Sequence, residues 1–544
     1  MIPFPAGTPA PGERTVHTFK GEEMTFVTED RPRSRRLRRS LVAMAAGAAL
    51  AVGAIAAAPA AMAEDDLDLG PSLVETSTAP TGYAMKFRYQ APSNVTQVHV
   101  YGDWTYSVPE NVTCDGCGDG RLPQDWRPGD VAATQWRTIP MALGADGVWE
   151  VTVPLPAGTF RYAFTHDCTS SVATNCALHY DPANPWEIFP QYPGAPGAVR
   201  STTWVPQHPD FPTYDTDYQR PLAADQLGTL ESVRYPSPQS TNPAGVHDMV
   251  VYTPFGYDPN RAEPYQTLYI SHGSGDHSTA WTMQGVAHYI AQNAINEGAA
   301  SEMIVVSTDF NGLPGGNNGF ANELRNNVIP YMEANYNVST AVIDRAFGGF
   351  SAGGSRAATI LYDHTDLFGY HAVWSWAPPA FNAAQLERMN NVEGGITIGT
   401  GLQDRLANIA TGVQQRQAQL LAAGVDIDAY NVPGGHTWHA WRPLLDHFLR
   451  EVAFDQDKDG VPDSFDVCAD TMLPDLPSGD LRPNHYKATA DGFVDRDGRI
   501  GFSLDDTAGC SGAQIIESAG LGNGHSKFGL SRGAIVSWIN SLDD

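Results

Sequence analysis

At 544 residues the chain exceeds what one ordinary hydrophobic core organises, so several domains are expected. Sixty-one acidic residues against 33 basic ones give a formal net charge of −28. Such a field disfavours nucleic acid and anionic membrane surfaces as partners and favours solubility, cations and neutral substrates.

The first 63 residues differ from the rest. Arg31 to Arg39 form a basic run, Leu41 to Ala60 are small and apolar, and Ala61-Met62-Ala63 has the form of a signal-peptidase site. Residues 1–63 are therefore read as an N-terminal extension with a bacterial-type signal peptide, and the protein as secreted, its mature chain starting near Glu64. This segment holds eight basic and five acidic residues, so removing it takes the net charge from −28 to −31. Six cysteines, an even number in an exported chain, favour disulfides over zinc, because the second pair is spaced too widely for a four-thiolate knuckle. Cys114, Cys117, Cys168 and Cys176 leave three pairings open, and Cys468 with Cys510 is the remaining bridge.

Residues 64–204 read as a small all-β sandwich. MKFRYQAP, TQVHVYGDW, GVWEVTVPL and GTFRYAFTHD alternate polar and apolar residues between Gly or Pro turns. A long cysteine-bearing insertion separates Trp104 from Trp136. Residues 205–227, rich in Pro, Asp and Tyr, read as a linker.

From residue 228 to 454 the pattern changes. DMVVYTPF, TLYISHG, EMIVVSTDF, IDRAFGGFS, YHAVWSWA, GGITIGTG and IDAYNVPG are apolar runs of strand length. Helical patterns such as SRAATILYDH and IATGVQQRQAQLLAAG lie between several of them. This alternation predicts an α/β domain, a mostly parallel sheet with helices on both faces.

Gly349-Phe350-Ser351-Ala352-Gly353 is a GxSxG pattern between a strand and a helix, which places Ser351 at the carboxyl end of the sheet. A serine hydroxyl attacks an ester only with a histidine base and an acid that orients it. Asp404 follows GGITIGTG and His436 follows IDAYNV, so the chain order Ser, Asp, His is that of an α/β-hydrolase. His439 is the rival base. The amide of Ala352 is expected in the oxyanion hole, with that of Gly273 or Ser274 as its second donor and Ser274 preferred. Trp438 and Trp281 lie near these loops and are expected to line a substrate cleft.

VYTPFGYD, LYISHGSGDHSTAW, NNVIPYMEANYNVSTAVIDRAFGGFSAGG, GTGLQDRL and PGGHTWHAWR, collinear over roughly residues 228–450, resemble the esterase group that includes carbohydrate esterase family one. That group contains feruloyl and acetylxylan esterases, enterochelin-type esterases and mycolyltransferases. The resemblance implies an α/β-hydrolase fold with Ser351 as nucleophile, Asp404 as acid and His436 as base. Ala352 stands where many such enzymes carry methionine. Upstream, VYGDW, DGVWEVTVPLPAGTFRYAF and DPANP resemble the early-set immunoglobulin-like module related to glycogen-binding domains, which binds glycans in some relatives and braces the catalytic domain in others.

Residues 455–544 form the acidic tail. Asp455, Asp457, Asp459 and Gly460 match the opening of a calcium loop. Val461 stands at its seventh position, where a backbone carbonyl ligates, and Asp463 and Asp466 stand at the ninth and twelfth. VPDSFDVCADT resembles a thrombospondin type 3 repeat. Residues 505–541 resemble a tail of other exported bacterial proteins and read as a small helical unit.

These readings imply a secreted serine esterase acting on hydroxycinnamoyl or acetyl esters of polysaccharides. No cofactor is expected for catalysis, structural Ca²⁺ is expected in the tail, and neither nucleic acid nor, once the signal is removed, a membrane is expected as a partner. The alternatives are a siderophore-ester hydrolase or an acyltransferase of the same fold, or a glycan-binding or adhesive protein whose hydrolase domain is dead.

Overall fold

The computed structural model describes residues 68–542 apart from 77–79, 135–136, 169–175, 186–199, 212–213, 456, 458, 464 and 469. The signal-peptide reading lies outside the described residues. From Leu67 onward the chain forms one compact unit.

Its amino-terminal part is built of two antiparallel sheets. Gly70–Glu75, Tyr83–Tyr89, Trp149–Pro154 and Ala142–Leu143 form one, in that order. Leu178–His179, Gly158–His166, Val98–Gly102 and Thr138–Pro140 form the other, and Ser201–Val205 also pairs with Gly158–His166. Phe87 and Tyr89 of the first sheet and Val98, Val100, Tyr162 and Phe164 of the second share one core, as alternation of apolar residues along each strand requires. The disulfides Cys114–Cys117 and Cys168–Cys176 select one of the three pairings left open, and Cys468–Cys510 forms as expected.

The central sheet has eight strands: β1 (Thr229–Thr241), β2 (Ala244–Thr253), β3 (Gln266–Ser271), β4 (Met303–Thr308), β5 (Arg345–Phe350), β6 (Tyr370–Trp374), β7 (Ile396–Gly401) and β8 (Asn431–Val432). Their spatial order is β1-β2-β4-β3-β5-β6-β7-β8. β2 runs antiparallel to β1 and β4, and the pairs from β4 through β8 are parallel. Strands β4, β5 and β6 are buried at every position, because helices cover both faces, which is why they read as continuous apolar runs. Helices Ala287–Asn296 and Trp438–Glu451 supply one core, with Ile290, Leu444 and Phe448. Helices Gly316–Glu323, Ala352–Asp363 and Ile409–Ala422 supply the other, with Phe320, Ile360 and Val413.

The long strand β1 replaces unassigned chain, because Pro236 and Pro238 suggest a turn in sequence yet are tolerated at a sheet edge that needs few donors. The helices expected over residues 505–541 form, and the tail carries strands as well. Its strands His485–Thr489, Gly492–Val494, Ile500–Phe502 and Leu530–Ser531 form a small sheet, against which helices Gly512–Ser518 and Arg532–Ser541 pack around Phe493, Ile515, Ile535 and the Cys468–Cys510 bridge.

Candidate active site

β5 ends at Phe350 and the helix Ala352–Asp363 starts two residues later, so Ser351 must reverse the chain by itself. It does so at φ 54° and ψ −119°, in a region L-residues seldom occupy. The two glycines of the pentapeptide follow from this turn. A Cβ on Gly349 would meet Gly353 C and O at 2.6 Å, and a Cβ on Gly353 would collide with the carbonyl oxygens of Ser271 and His272. The nucleophile turn is thus pressed against the end of β3.

Ser351 Oγ lies 2.9 Å from His436 Nε2, and His436 Nδ1 lies 2.7 Å from Asp404 Oδ2. A carboxylate only accepts, so the ring proton sits on Nδ1 and Nε2 is left to accept from the serine. Asp404 is fully buried and Ser351 half-buried, which leaves the hydroxyl accessible and the carboxylate shielded. The three residues come from the loops after β5, β7 and β8, as the sequence predicted. His439 turns away: its Nε2 reaches Asp103 O at 2.9 Å and its ring packs near Phe160, both on the sandwich.

Ala352 opens a helix, where the first amides have no intrahelical acceptor. The loop carrying Gly273 and Ser274 follows β3 and is held in shape by His272, whose Nδ1 meets Gly273 O at 2.8 Å and whose Nε2 meets Asp309 Oδ1 at 3.1 Å. Asp309 Oδ2 also accepts from the amide of Ser278 at 3.2 Å. Asp309 was not recognised in the sequence, since one aspartate after a strand carries no distinguishing pattern.

The structure corrects the reading of the two tryptophans. Trp281 is 0% exposed and Trp438 1%. They stack edge to face on each other and on Phe350, beneath the nucleophile turn, and Trp281 Nε1 donates to Ser271 O at 3.0 Å. They form the floor that supports the turn instead of a surface that meets substrate. Trp441 takes a part the sequence left undefined: its ring stands 5.0 Å from that of His436 at 88°, and its Nε1 donates to Ser375 Oγ. Gln403 is a further addition. Its amide donates to Gly434 O and its Oε1 accepts from Gly434 N, both at 2.8 Å, so the loop bearing the acid is tied to the turn that delivers the base.

Comparison with known proteins now bears on this geometry. Residues 245–452 match the family described as Putative esterase. The matched segment contains Ser351, Asp404 and His436. Endo-1,4-beta-xylanase Y of Acetivibrio thermocellus is 32% identical over 137 residues, which are 23% of this chain and 12% of that protein. An endo-1,4-beta-xylanase/feruloyl esterase of Xylanibacter ruminicola is 26% identical over 255 residues, 45% of this chain and 34% of that protein. The chain therefore spans only 12% and 34% of the length of these curated relatives. Among solved structures, a ferulic acid esterase of Anaeromyces mucronatus in complex with ferulic acid is 24% identical over 44% of this chain and 96% of that one, with a TM-score of 0.39.

A second constellation lies in the tail. The carboxylates of Asp455, Asp457 and Asp459 offer ligand atoms within 4.8 Å of one another. Asp459 Oδ1 accepts from Val461 N, while its Oδ2 is buried with no hydrogen-bond partner among the described residues. Asp466 and Asp459 both lie against Gly509, whose missing side chain leaves them room. The side chain of Val461 is packed into the tail core. Asp463 departs from the expected set in part, since one of its oxygens accepts from Gln266 Nε2 at 3.1 Å, at the start of β3.

Proposed function

We propose that the protein is an exported serine esterase that hydrolyses acyl esters of polysaccharides through an acyl-enzyme. The observation that carries this reading is the continuous chain Asp404 Oδ2, His436, Ser351 Oγ, with links of 2.7 and 2.9 Å. His436 takes the proton of Ser351 as the hydroxyl oxygen attacks the ester carbonyl, and Asp404 stabilises the imidazolium that forms. The amides of Ala352 and of Ser274 or Gly273 receive the oxyanion. His436 then gives the proton to the departing sugar oxygen as its bond to the acyl carbon breaks, and the same base activates water to release the acid. An intact triad and a strained, accessible nucleophile favour this over a dead glycan-binding protein.

The acyl group is proposed to be hydroxycinnamoyl before acetyl. The small residues Ser274 and Ala352 beside the oxyanion site leave space for more than an acetyl group. Leu402 and Leu406, two residues either side of Asp404 in the chain and each 37% exposed, are proposed as apolar surface for a planar acyl chain. The matched segment's similarity to a protein named as a xylanase/feruloyl esterase points the same way. A siderophore-ester hydrolase or an acyltransferase of the same fold remains the competing reading. Methyl ferulate is expected to give a higher kcat/KM than an acetylated xylo-oligomer, and a long-chain nitrophenyl ester the lowest. Preference for the long chain refutes the assignment.

The division into residues 64–204, 205–227, 228–454 and 455–544, the signal peptide in residues 1–63 and the structural Ca²⁺ belong to the same proposal. Among the described residues no helix is long and apolar enough to cross a membrane. In the tail Asp455, Asp457, Asp459, Asp463, Asp466 and the carbonyl of Val461 would hold the cation, and the orphaned Asp459 Oδ2 is the atom that fits it, since a buried carboxylate oxygen without a donor suits a hard cation. Binding to the folded tail alone raises its stability by mass action. Calorimetry with calcium and with chelator is expected to shift one transition upward with calcium, by several degrees, while ester hydrolysis at 25 °C stays constant. Asp459→Asn is expected to abolish that shift, and an equal loss of esterase rate in chelator would show that the two parts are not separate.

A further inference from the structure

The cysteine-bearing insertion of the sandwich is a folded unit. Tyr106–Ser107 pairs with Val131–Ala132, and Arg121 grips Asp130 through two hydrogen bonds of 2.9 and 3.0 Å. Trp104, Tyr106 and Trp126 anchor it in the sandwich core. At its tip the Cys114–Cys117 bridge closes a short turn, Thr134 Oγ1 donates to Asp115 Oδ1 at 3.0 Å, and Thr134 Oγ1 accepts from Gly116 N at 2.8 Å.

This unit is fastened to the loops that carry the acid and the base. Arg405, the residue after Asp404, donates from Nε to Val112 O at 2.9 Å. A Cβ on Gly435, the residue before His436, would meet Ala132 O at 3.7 Å and Thr134 Cγ2 at 3.8 Å, which is van der Waals contact. His439 reaches Asp103 O just before the insertion begins. The insertion thus touches both loops, through Val112 on that of Asp404 and through Ala132 and Thr134 on that of His436.

We propose that the tip around Thr113 and Asp115 is the polysaccharide-side wall of the ester cleft, binding hydroxyls of a neutral sugar chain beside the scissile bond. This rests on the esterase reading and names which part of the substrate the module holds. The chemistry of the two walls differs. Thr113, Asp115 and Gly116 are exposed and polar, and a carboxylate accepts strongly from sugar hydroxyls. Leu402 and Leu406, on the hydrolase side, are apolar and suit the acyl group. Glu110, Asp115, Asp119 and Asp125 are all exposed, so a uronate-bearing chain is repelled and a neutral one admitted.

The test uses the full-length protein with Asp115→Ala and, separately, Thr113→Trp, which adds bulk at an exposed position without removing any bond inside the insertion. The readout is the ratio of kcat/KM for a feruloylated arabinoxylo-oligosaccharide to that for methyl ferulate. Each variant is expected to lower this ratio roughly tenfold, the worth of one charge-assisted hydrogen bond. An unchanged ratio in both overturns the proposal. A second arm separates it from the esterase reading: Ser351→Ala protein is titrated with unesterified arabinoxylo-oligosaccharide. Binding that weakens roughly tenfold with Asp115→Ala supports the wall even if no ester is hydrolysed. Absence of binding, or binding indifferent to the tip, overturns it even if the protein proves to be an esterase.

Discussion

Ser351→Ala and His436→Ala are each expected to lower kcat for ester hydrolysis by at least about a thousandfold, because members of a triad act as a unit and the loss of one removes most of what all three contribute. Asp404→Asn is expected to cost somewhat less, since the ring is still held but the imidazolium loses its counter-charge. His439→Ala separates the two candidate bases. His439 points at the backbone of Asp103, 2.9 Å away, so its loss loosens contact with the sandwich and leaves proton transfer in place. Burst kinetics on a nitrophenyl ester check all four substitutions. A loss with His439→Ala as large as that with His436→Ala would reverse the assignment of the base.

The second large effect is expected on stability, at the buried seam between sandwich and sheet. Asp103 Oδ2 meets Arg161 Nε at 2.9 Å, Asp103 Oδ1 accepts from Arg161 N at 2.8 Å, and Arg161 Nη1 donates to Gln284 Oε1 at 2.7 Å. Arg442, fully buried, donates to Gln284 O and to Thr159 O at 2.6 Å each. Burial works against the charge on Asp103, but Arg161 above all, with His439, holds its carboxyl well below the usual carboxylate range. Burial lowers Arg442 to about 10, which still leaves it charged at neutral pH. Asp103→Ala therefore takes its buried carboxylate partner from Arg161, at a cost of about 3–5 kcal/mol. A group with a depressed folded pKa stabilises above its unfolded value and loses that contribution only as the pH falls through the folded value. Both pH 5 and pH 8 lie above the usual carboxylate range, so a large deficit in urea unfolding is expected at each. A deficit under about 1 kcal/mol, the worth of an exposed pair, would mean the seam is wet.

Much of the site was legible in the sequence because its parts sit where local pattern is strong. Ser351, Asp404 and His436 each follow an apolar run that ends in glycine or a turn, and Gly349 is dictated by a backbone contact four residues on, whereas Gly353 answers to the distant end of β3. What sequence did not reveal depends on contacts between distant segments. Trp281 and Trp438 are near the site in sequence and under it in space, and only the packing of the helix Trp438–Glu451 against the sheet decides between lining and floor. Gln403, Asp309 and Arg405 act through hydrogen bonds to distant segments, which leave no periodicity. β1 was missed because its prolines argue against a central strand and say nothing against an edge.

The seam also sets an order of events. Asp103 and His439 are 336 residues apart in the chain, and Arg442 meets Thr159 across 283. At roughly 5–20 residues per second the sandwich leaves the ribosome tens of seconds before the helix that seats it. Until then its Asp103–Arg161 face is exposed to water, and an ion pair, unlike an apolar patch, tolerates that interval without recruiting other chains. Contacts so distant in sequence are slow to form, so closure of the seam is expected to come late, after each core has condensed by itself.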